Sequence, residues 1–327
     1  MNNNFKQIYD IIKNSNKILM SLHSKPDGDS FGSCLAMKYF IKRDFKKEVK
    51  LVSFDYLGSE FMEMPYSKEV KFGEDIGSLE EFDLIICLDS ASPSRIGKMK
   101  KGFEIPKSIN SINIDHHSSN AYFADYNFVD KDAPSTCSIL LDMFKELEID
   151  IDSELAKRLL IGIVTDTEFF KSIHNPIRAL KEVLFLESKG AEYKEMALKK
   201  LEFNKSLNKK KYEGLVLSNI ELYKDLKLAI SYIELEDMNR LNLNISDSKA
   251  GIACMIGIKN ADVYVLLTKT QNGIKGSIRS TSNLDVSKIA QKLGGGGHNQ
   301  RAGFFVEDTL KNTKNKIIKL VKKITSS

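Results

Sequence analysis

The first half of the chain alternates short apolar runs with segments of helical spacing. Four runs rich in aliphatic residues predict strands, at 17–23, 48–54, 83–89 and 111–115. Between the first two runs, apolar residues from 32 to 40 recur on one helical face. Strands that alternate with helices predict βαβ units and a parallel sheet.

The second half begins with helical patterns and then returns to strands. Helices are predicted at 136–147 and 154–164, with Asp152 or Ser153 as cap, and another begins at Pro176. Lysine-rich helical sequence over 193–217 is interpreted as a connector. After residue 221 the pattern predicts strands 228–233, 262–269, 273–280 and 302–306, a helix 285–293 and a terminal helix 309–324. We therefore expect an α/β protein with a domain at 1–190 whose mainly parallel sheet is flanked by helices, a helical linker at 191–221, and a smaller α/β domain at 222–327.

Composition narrows the class of protein. The 327 residues are 42% hydrophobic and 28% charged, which is typical of a globular chain. No uncharged apolar run approaches 18 residues, so no membrane span is expected. The four cysteines form no CxxC pair, which predicts reduced thiols and a cytoplasmic location. The net charge of +5 is too small and diffuse for a protein that grips long duplex nucleic acid.

Acidic and histidine residues follow three of the predicted strands. His23, Asp27 and Asp29 come after the first strand, and Asp89 ends the third. The fourth strand ends in the run Asp115-His116-His117. Because ligand sites of open parallel sheets lie at the carboxyl ends of strands, these side chains are expected to meet at one edge. Asp166, after an apolar helix, could reach the same edge.

Each segment also has an ordinary structural interpretation. The Asp27-Gly28-Asp29 segment could be a turn, since these residues favour turns. Asp89 could cap the following helix, and adjacent histidines could be loop residues. Turn formation does not require a histidine four positions before Asp27, nor acids after successive strands. These ordinary structural interpretations therefore explain the single segments better than they explain all of them together.

Clustered carboxylates repel one another unless a cation neutralises them. Four or five acids with two or three imidazoles therefore predict a site for two divalent metals, with Mn²⁺ favoured and Mg²⁺, Co²⁺ or Fe²⁺ as alternatives. The set contains no thiolate, which argues against structural zinc. Two metals about 3.5–4 Å apart are typical of phosphoester hydrolysis.

The second half contains residues suited to binding a phosphate. A glycine run, Gly294 to Gly297, precedes His298 and exposes backbone N–H groups, although a flexible loop is the alternative. Arg279 and Ser280 lie at the end of a predicted strand, where an arginine could clamp phosphate oxygens. The residues alone thus predict a metal-dependent phosphoesterase with its chemistry on one domain and substrate binding on the other.

These motifs resemble the DHH–DHHA1 phosphoesterase family over nearly the whole chain. Five segments match the family motifs in order: 23–33, 89–91, Asp115-His116-His117, 162–167 and the glycine run with His298. The first-motif histidine and the two-domain length resemble the stand-alone group of oligoribonucleases and 3′-phosphoadenosine-5′-phosphate (pAp) phosphatases. That group includes enzymes that degrade cyclic di-AMP or its linear product pApA.

The resemblance implies a role for each matching residue. His23, Asp27 and Asp89 would hold one metal, and Asp29, Asp89, His116 and Asp166 the other, with Asp89 bridging. Asp115 and His117 would orient ligands or face the phosphate. Substrate would be bound by Arg279, Ser280, Gly295, Gly296, Gly297 and His298.

The activity expected from this resemblance is Mn²⁺-dependent hydrolysis of short RNA or of a linear or cyclic dinucleotide. The resemblance also implies that the protein forms a homodimer. A pAp phosphatase uses the same centre and is the main alternative. A manganese pyrophosphatase would need a basic Ser-Arg-Lys-Lys type motif, which this sequence lacks. A RecJ-type exonuclease would need a further domain, and a non-catalytic nucleotide-binding regulator would not need an intact ligand set.

The sequence departs from the family pattern at two positions. Glu168 stands where the group usually has glycine after the fourth motif. Arg301 stands where the DHHA1 signature usually continues with small residues. Both departures bear on the choice of substrate rather than on the metal centre.

Overall fold

The structure is a computed structural model that describes residues 2–55, 59–72, 78–96, 105–170, 175–202, 205–243 and 248–325. The chain divides into two compact units, Met1–Asn204 and Lys205–Ser327. Each unit has its own sheet and its own hydrophobic core.

The first unit is built on a parallel sheet of six described strands. The strands are β1 (Ile18–Ser21), β2 (Val49–Ser53), β3 (Lys71–Phe72), β4 (Leu84–Leu88), β5 (Asn110–Asp115) and β6 (Tyr126–Val129). They lie in the order β3-β2-β1-β4-β5-β6, so the chain changes direction across the sheet between β1 and β4. The boundary between β1 and β4 is therefore a topological switch point, and ligands of open α/β sheets bind in the crevice at such a point.

Helices cover the sheet of the first unit. They are α1 (Phe5–Asn14), α2 (Gly28–Phe45), α3 (Ser59–Met62), α4 (Thr136–Glu146), α5 (Ser153–Asp166), α6 (Pro176–Ser188) and a π-helical segment, Lys194–Glu202. The alternation of β1 divides its side chains between two clusters: Ile18 and Met20 lie in the main core with the helices, and Leu19 in a smaller cluster on the other face. Burial on both faces explains why these strands appear as continuous apolar runs.

The second unit contains a mixed sheet of six described strands. The strands are β7 (Glu221–Tyr223), β8 (Leu228–Ile233), β9 (Val263–Thr270), β10 (Gly273–Ser280), β11 (Gly296–His298) and β12 (Arg301–Val306), in the order β11-β12-β10-β9-β8-β7. Only β8 and β9 pair in parallel. The helices are α7 (Leu207–Ser218), α8 (Leu235–Arg240), α9 (Ser248–Met255), α10 (Ser287–Lys292) and α11 (Leu310–Thr325).

The predicted fold class, α/β with two sheets, is confirmed. Strands β8 and β10 have the predicted bounds, and Asp152 caps α5 by accepting a hydrogen bond from the Leu155 N–H at 2.9 Å. Within the predicted linker over 191–221, the π-helical segment lies in the first unit, and α7 contributes Tyr212 and Val216 to a core of the second. The predicted domain bounds stay a prediction. None of the helices within the described residues combines the length and apolar character that a membrane crossing requires.

Candidate metal centre

The acidic and histidine residues gather at the switch point of the first sheet. His23 and Asp27 follow β1, Asp89 follows β4, and β5 ends in Asp115, directly before His116. Asp89 has a left-handed backbone (φ 55°), a conformation that aspartate adopts more readily than most residues. Parallel pairing of β1, β4 and β5 thus brings three separate segments to one edge.

The first group is formed by His23, Asp27 and Asp89. His23 Nε2 lies 3.4 Å from Asp27 Oδ1 and 3.2 Å from Asp89 Oδ2. The other ring nitrogen, Nδ1, is 2.9 Å from the carbonyl oxygen of Ser24. Donation of Nδ1–H to this carbonyl leaves the Nε2 lone pair directed at the carboxylates, which is the tautomer of a metal ligand. Nε2 is buried and makes no acceptable hydrogen bond with a described residue.

The second group surrounds His116. Its Nε2 lies 3.6 Å from Asp89 Oδ1, 3.5 Å from Asp166 Oδ2 and 3.9 Å from Asp29 Oδ2. Its Nδ1 is 3.2 Å from the Ala133 carbonyl oxygen, which again leaves Nε2 as the available lone pair. The two oxygens of Asp89 therefore face different groups: Oδ2 faces His23 and Oδ1 faces His116.

Asp29 is held by the N-terminus of α4. Its carboxylate accepts hydrogen bonds from the backbone N–H groups of Thr136, at 2.6 Å, and Cys137, at 3.0 Å. The close approach depends on Gly162 in α5, because a Cβ there would lie 2.5 Å from Asp29 Oδ1 and 2.3 Å from Cys137 Sγ. Asp166 is the last residue of the same helix, so the α2–α5 contact brings Asp29 and Asp166 to His116.

The electrostatics of the cluster favour the binding of cations. Burial, followed by repulsion from Asp89, raises the pKa of Asp29 to about 8. Burial alone would lower the pKa of the histidines, but their neighbouring carboxylates outweigh it. The pKa of His23 rises to about 10, chiefly through Asp27, and the pKa of His116 to about 9, chiefly through Asp166. Without a metal the cluster would hold protons, and a divalent cation would replace them.

Asp115 and His117 form a pair beside the two groups. Asp115 is fully buried, and its Oδ1 lies 2.7 Å from His117 Nδ1. Asp115 Oδ2 accepts a hydrogen bond from Asn120 Nδ2 at 2.6 Å, which fixes the carboxylate. Burial would lower the pKa of His117, but the hydrogen bond to Asp115 reverses the direction and raises it.

These residues fit a pair of divalent cations. Three sets of side chains each offer ligand atoms within 4.8 Å of one another: His23, Asp27 and Asp89; Asp29, His116 and Asp166; and Asp89, His116 and His117. Every donor is a carboxylate oxygen or an imidazole nitrogen, which suits divalent first-row metals. His23 Nε2 is buried without a hydrogen bond to a described residue, and a bond from this nitrogen to a metal would explain its position.

The structure also shows contacts that sequence reasoning missed. Backbone groups fix three of the ligands, and they have no signature in their residue types. The Ser24 carbonyl is adjacent to His23 in the chain, whereas the Ala133 carbonyl and the Thr136 and Cys137 N–H groups come from other segments. Arg95 was also missed: its Nη2 lies 3.5 Å from His23 Nδ1. The sequence feature that could have drawn attention to Arg95 is that arginine is rare, with seven in the chain.

The residues expected to bind substrate in the second unit are not all on one face. Arg279 is half-buried on β10, whereas Ser280, the next residue, is buried and bonds with the Ser282 hydroxyl at 3.1 Å. Alternation along a strand places the two side chains on opposite faces. The backbone of His298 pairs with Arg301, and the His298 side chain lies outside the described residues.

The second half of the glycine run, Gly296 and Gly297, is part of the sheet. Gly296 and Gly297 pair with Gly303 and Ala302. Gly297 has φ +145°, and a Cβ there would lie 2.3 Å from the Arg301 carbonyl oxygen, so the fold requires this glycine. Gly295 is required by its close approach to β12, since its Cβ would lie 2.1 Å from the Gly303 carbonyl oxygen. Nothing lies within 4 Å of a Cβ at Gly296.

Glu168 occupies a backbone position suited to glycine. Its φ is 50°, and Phe169 and Phe170 continue in the same left-handed region, at 57° and 65°. A glycine would adopt this conformation without strain, whereas longer side chains are disfavoured. The departure at Glu168 therefore places local strain two residues after Asp166.

Comparisons with known proteins agree with this fold. The profile of the DHH family N-terminal domain matches residues 17–163, and that of the DHHA1 domain matches residues 225–327. The chain is 30% identical over 287 residues to a bifunctional oligoribonuclease and PAP phosphatase of Thermus thermophilus, covering 88% of this chain and 83% of that protein. A protein of Mycoplasma genitalium with the same description is 27% identical over 328 residues, covering 96% and 95%. A solved exopolyphosphatase-related protein from Bacteroides fragilis superimposes with a TM-score of 0.87 at 25% identity, covering 98% and 95%.

An α/β domain with carboxylates and imidazoles at its switch point, followed by a separate mixed-sheet domain, defines a class of hydrolytic enzymes. The chain belongs to the DHH–DHHA1 family of phosphoesterases. The predicted family and the predicted enzyme class are thereby confirmed.

Proposed function

We propose that the chain is a two-metal phosphodiesterase that hydrolyses short oligoribonucleotides or dinucleotides to mononucleotides. The observation that carries the proposal is the position of Asp89, whose two carboxylate oxygens face two separate groups of metal-binding side chains. A carboxylate shared in this way is the expected bridge of a two-metal centre.

In this proposal each group holds one cation. His23, Asp27 and Asp89 would hold the first, and Asp29, Asp89, His116 and Asp166 the second. The mixed oxygen and nitrogen donors favour Mn²⁺, with Mg²⁺, Co²⁺ or Fe²⁺ as the alternatives. When bound, the two cations would activate the attacking water and neutralise charge on the phosphoryl oxygens.

The chain's own residues would supply orientation and protons. Hydrogen bonds from Thr136 and Cys137 hold the Asp29 carboxylate, and carbonyl oxygens hold the rings of His23 and His116. His117, fixed by Asp115 and with a raised pKa, can carry a proton at Nε2. We assign to it the proton that the departing ribose hydroxyl needs.

The second unit would bind the nucleotide. Arg279 offers a guanidinium for phosphate oxygens. Gly296 is exposed and not required by packing, so its backbone can approach a ligand closely. Short substrates are proposed because a net charge of +5 is too small to bind the many phosphates of a long duplex tightly. A cytoplasmic location and a homodimer stay predictions.

A second activity on pAp is favoured by the relatives. The curated proteins from Thermus thermophilus and Mycoplasma genitalium carry both an oligoribonuclease and a PAP phosphatase description. The same centre would serve both reactions, since only the leaving group differs.

A side-by-side turnover assay tests the proposed function. Purified protein with Mn²⁺ is given pApA, a three- to five-residue RNA, cyclic di-AMP and pAp, with EDTA added in parallel. We expect release of mononucleotide from pApA and short RNA, abolished by EDTA and by Asp89→Asn. Asp10→Asn, a change of the same kind at a residue that pairs with Lys6 on the surface of α1, is the control and should retain activity. Mn²⁺-dependent binding of all four compounds without product would favour a regulator instead.

A further inference from the structure

One threonine connects the two groups of metal-binding side chains. Thr136 is the first residue of α4 and is fully buried. Its backbone N–H donates a hydrogen bond to Asp29 Oδ2 at 2.6 Å, and its hydroxyl donates a second one to Asp89 Oδ1 at 3.3 Å. Asp29 belongs to the group around His116, whereas Asp89 faces both groups. A single residue therefore joins the shared carboxylate to a carboxylate of the second group.

The start of α4 is tied to a neighbouring helix. The Ser135 hydroxyl oxygen caps α4 by accepting a hydrogen bond from the Ser138 N–H at 3.0 Å. The Ser138 hydroxyl donates in turn to Oε2 of Glu182, a buried residue of α6, at 2.6 Å. Because this first turn is fixed, the backbone N–H of Thr136 is held toward Asp29. A β-branched side chain on a fixed backbone has few orientations, so the place of the hydroxyl is fixed as well.

Helix capping does not explain the hydroxyl of Thr136. Ser135 already supplies the capping oxygen, and the Thr136 hydroxyl donates to Asp89 instead. A carboxylate oxygen has two lone pairs. With one lone pair of Asp89 Oδ1 directed at the hydroxyl, the other is left for the side of His116, whose Nε2 is 3.6 Å away. Hydrogen bonds of this kind orient metal-ligating carboxylates and raise the affinity for the metal.

We propose that Thr136 is a positioning residue that makes Asp89 the bridge of the metal pair. Its hydroxyl holds Asp89 Oδ1 on the side of the second group, at a fixed place relative to Asp29, so that both carboxylates reach the same cation. Asp89 Oδ2 lies toward His23, so the first cation should depend on the hydroxyl much less. The proposal rests on the proposed two-metal function, and it assigns to Thr136 a part of the affinity for the second cation.

Two substitutions at position 136 separate the hydroxyl from the rest of the residue. Thr136→Val keeps the shape of the side chain and the backbone N–H to Asp29, but it removes the donor to Asp89. Thr136→Ser keeps the donor and removes a methyl group. Thr313→Val is the matched control, because Thr313 is also fully buried in a helix, α11, and its hydroxyl makes no hydrogen bond with a described residue.

Titration of the metal-free protein with Mn²⁺, followed by calorimetry and by electron paramagnetic resonance, measures the affinity for each cation. We expect two Mn²⁺ per wild-type chain. Thr136→Val should bind the second Mn²⁺ about tenfold to a hundredfold more weakly and the first within about threefold. Thr136→Ser and Thr313→Val should bind both as the wild type does. An unchanged second affinity in Thr136→Val, or an equal loss in Thr136→Ser, would overturn the proposal.

The dependence of turnover on Mn²⁺ distinguishes positioning from a general loss of structure. With pApA as substrate, Thr136→Val should need about tenfold to a hundredfold more Mn²⁺ for its half-maximal rate. Excess Mn²⁺ should restore most of kcat, with little change in KM for pApA. A loss of kcat that persists at every Mn²⁺ concentration, together with a lowered Tm in EDTA, would make Thr136 a structural residue and overturn the proposal.

The wild-type protein separates this proposal from the proposed function. If the wild type binds two Mn²⁺ and Thr136→Val weakens the second, but no substrate is turned over, the hydrolysis is wrong and the positioning role stands. If the wild type hydrolyses pApA and Thr136→Val matches it in every titration, the positioning role is wrong and the hydrolysis stands. A wild-type chain that binds a single Mn²⁺ would overturn the bridge and the role of Thr136 together.

Discussion

His23 Nε2 lies 3.2 Å from Asp89 Oδ2, yet this buried nitrogen makes no acceptable hydrogen bond with a described residue. A lone pair that faces carboxylate oxygens is repelled unless a proton or a cation lies between them. On the other side, Asp89 Oδ1 lies 3.6 Å from His116 Nε2. Cations bound between these groups would remove the repulsion.

Mn²⁺ should therefore stabilise the protein against heat. A cation that binds only the folded state adds about 2.7 kcal/mol at a hundred times its Kd. For a unit of this size that corresponds to a rise in Tm of about 5–10 °C. Differential scanning fluorimetry with and without Mn²⁺ measures the shift, which EDTA should reverse. Asp89→Asn should show less than half of it, and an equal shift in both proteins would contradict the assignment of Asp89.

Gly162→Ala should damage the centre from a distance. Its Cβ would press on Asp29 Oδ1 and Cys137 Sγ, so we expect a loss of about 1–3 kcal/mol in the free energy of unfolding and weaker Mn²⁺ binding. The matched control is Gly214→Ala on α7, where nothing lies within 4 Å and the helix should gain about 0.5–1 kcal/mol. Urea unfolding and Mn²⁺ titration measure both. Normal Mn²⁺ affinity in Gly162→Ala would show that the close approach does not position Asp29.

Asp115→Asn should slow hydrolysis more than it weakens metal binding. Asp115 orients His117 and raises its pKa, so its neutralisation should lower kcat by about 10–100-fold. Mn²⁺ affinity should fall much less than in Asp89→Asn, because Asp115 faces His117 and not the cations. Single-turnover rates at saturating Mn²⁺ measure the effect. A rate restored by excess Mn²⁺ would instead make Asp115 a determinant of metal affinity.

The two neighbouring glycines of β11 should differ in what they affect. Gly297→Ala should destabilise the second unit by about 1–3 kcal/mol, because its φ is +145° and its Cβ would meet the Arg301 carbonyl oxygen. Gly296→Ala should leave stability within about 0.5 kcal/mol, since its Cβ has open space. If Gly296 lies against the nucleotide, the same substitution should raise KM. A folded Gly296→Ala with unchanged KM would remove it from the binding surface.

Sequence reasoning was strongest where one physical rule applies to a whole strand. The apolar runs of β1, β4 and β5 predict a parallel sheet, and from that alone His23, Asp89 and Asp115 are expected at one edge. For Asp166 the family resemblance was needed as well, because the pattern of an apolar helix does not predict which strand end the helix approaches. The hydrogen bonds from Thr136 and Cys137 to Asp29 join residues more than 100 positions apart and could not be predicted.

Predictions for the second unit were weaker for equally specific reasons. Glycine disfavours strands, so the glycine run does not predict a strand at β11, which forms only by pairing with β12. Arg279 and Ser280 lie next to each other in sequence, but side chains alternate along a strand and the two face opposite sides of the sheet. Their binding to substrate stays a prediction. In the first unit, the strand β6 has only four residues, which is too short for its pattern to predict a strand.

Diffraction data collected at the manganese absorption edge from crystals grown with Mn²⁺ would test the bridging role of Asp89 most directly. Two anomalous peaks about 3.5–4 Å apart are expected. One oxygen of Asp89 should lie against each peak, with His23 at one and His116 at the other. A single peak, or two peaks of which only one contacts Asp89, would contradict it.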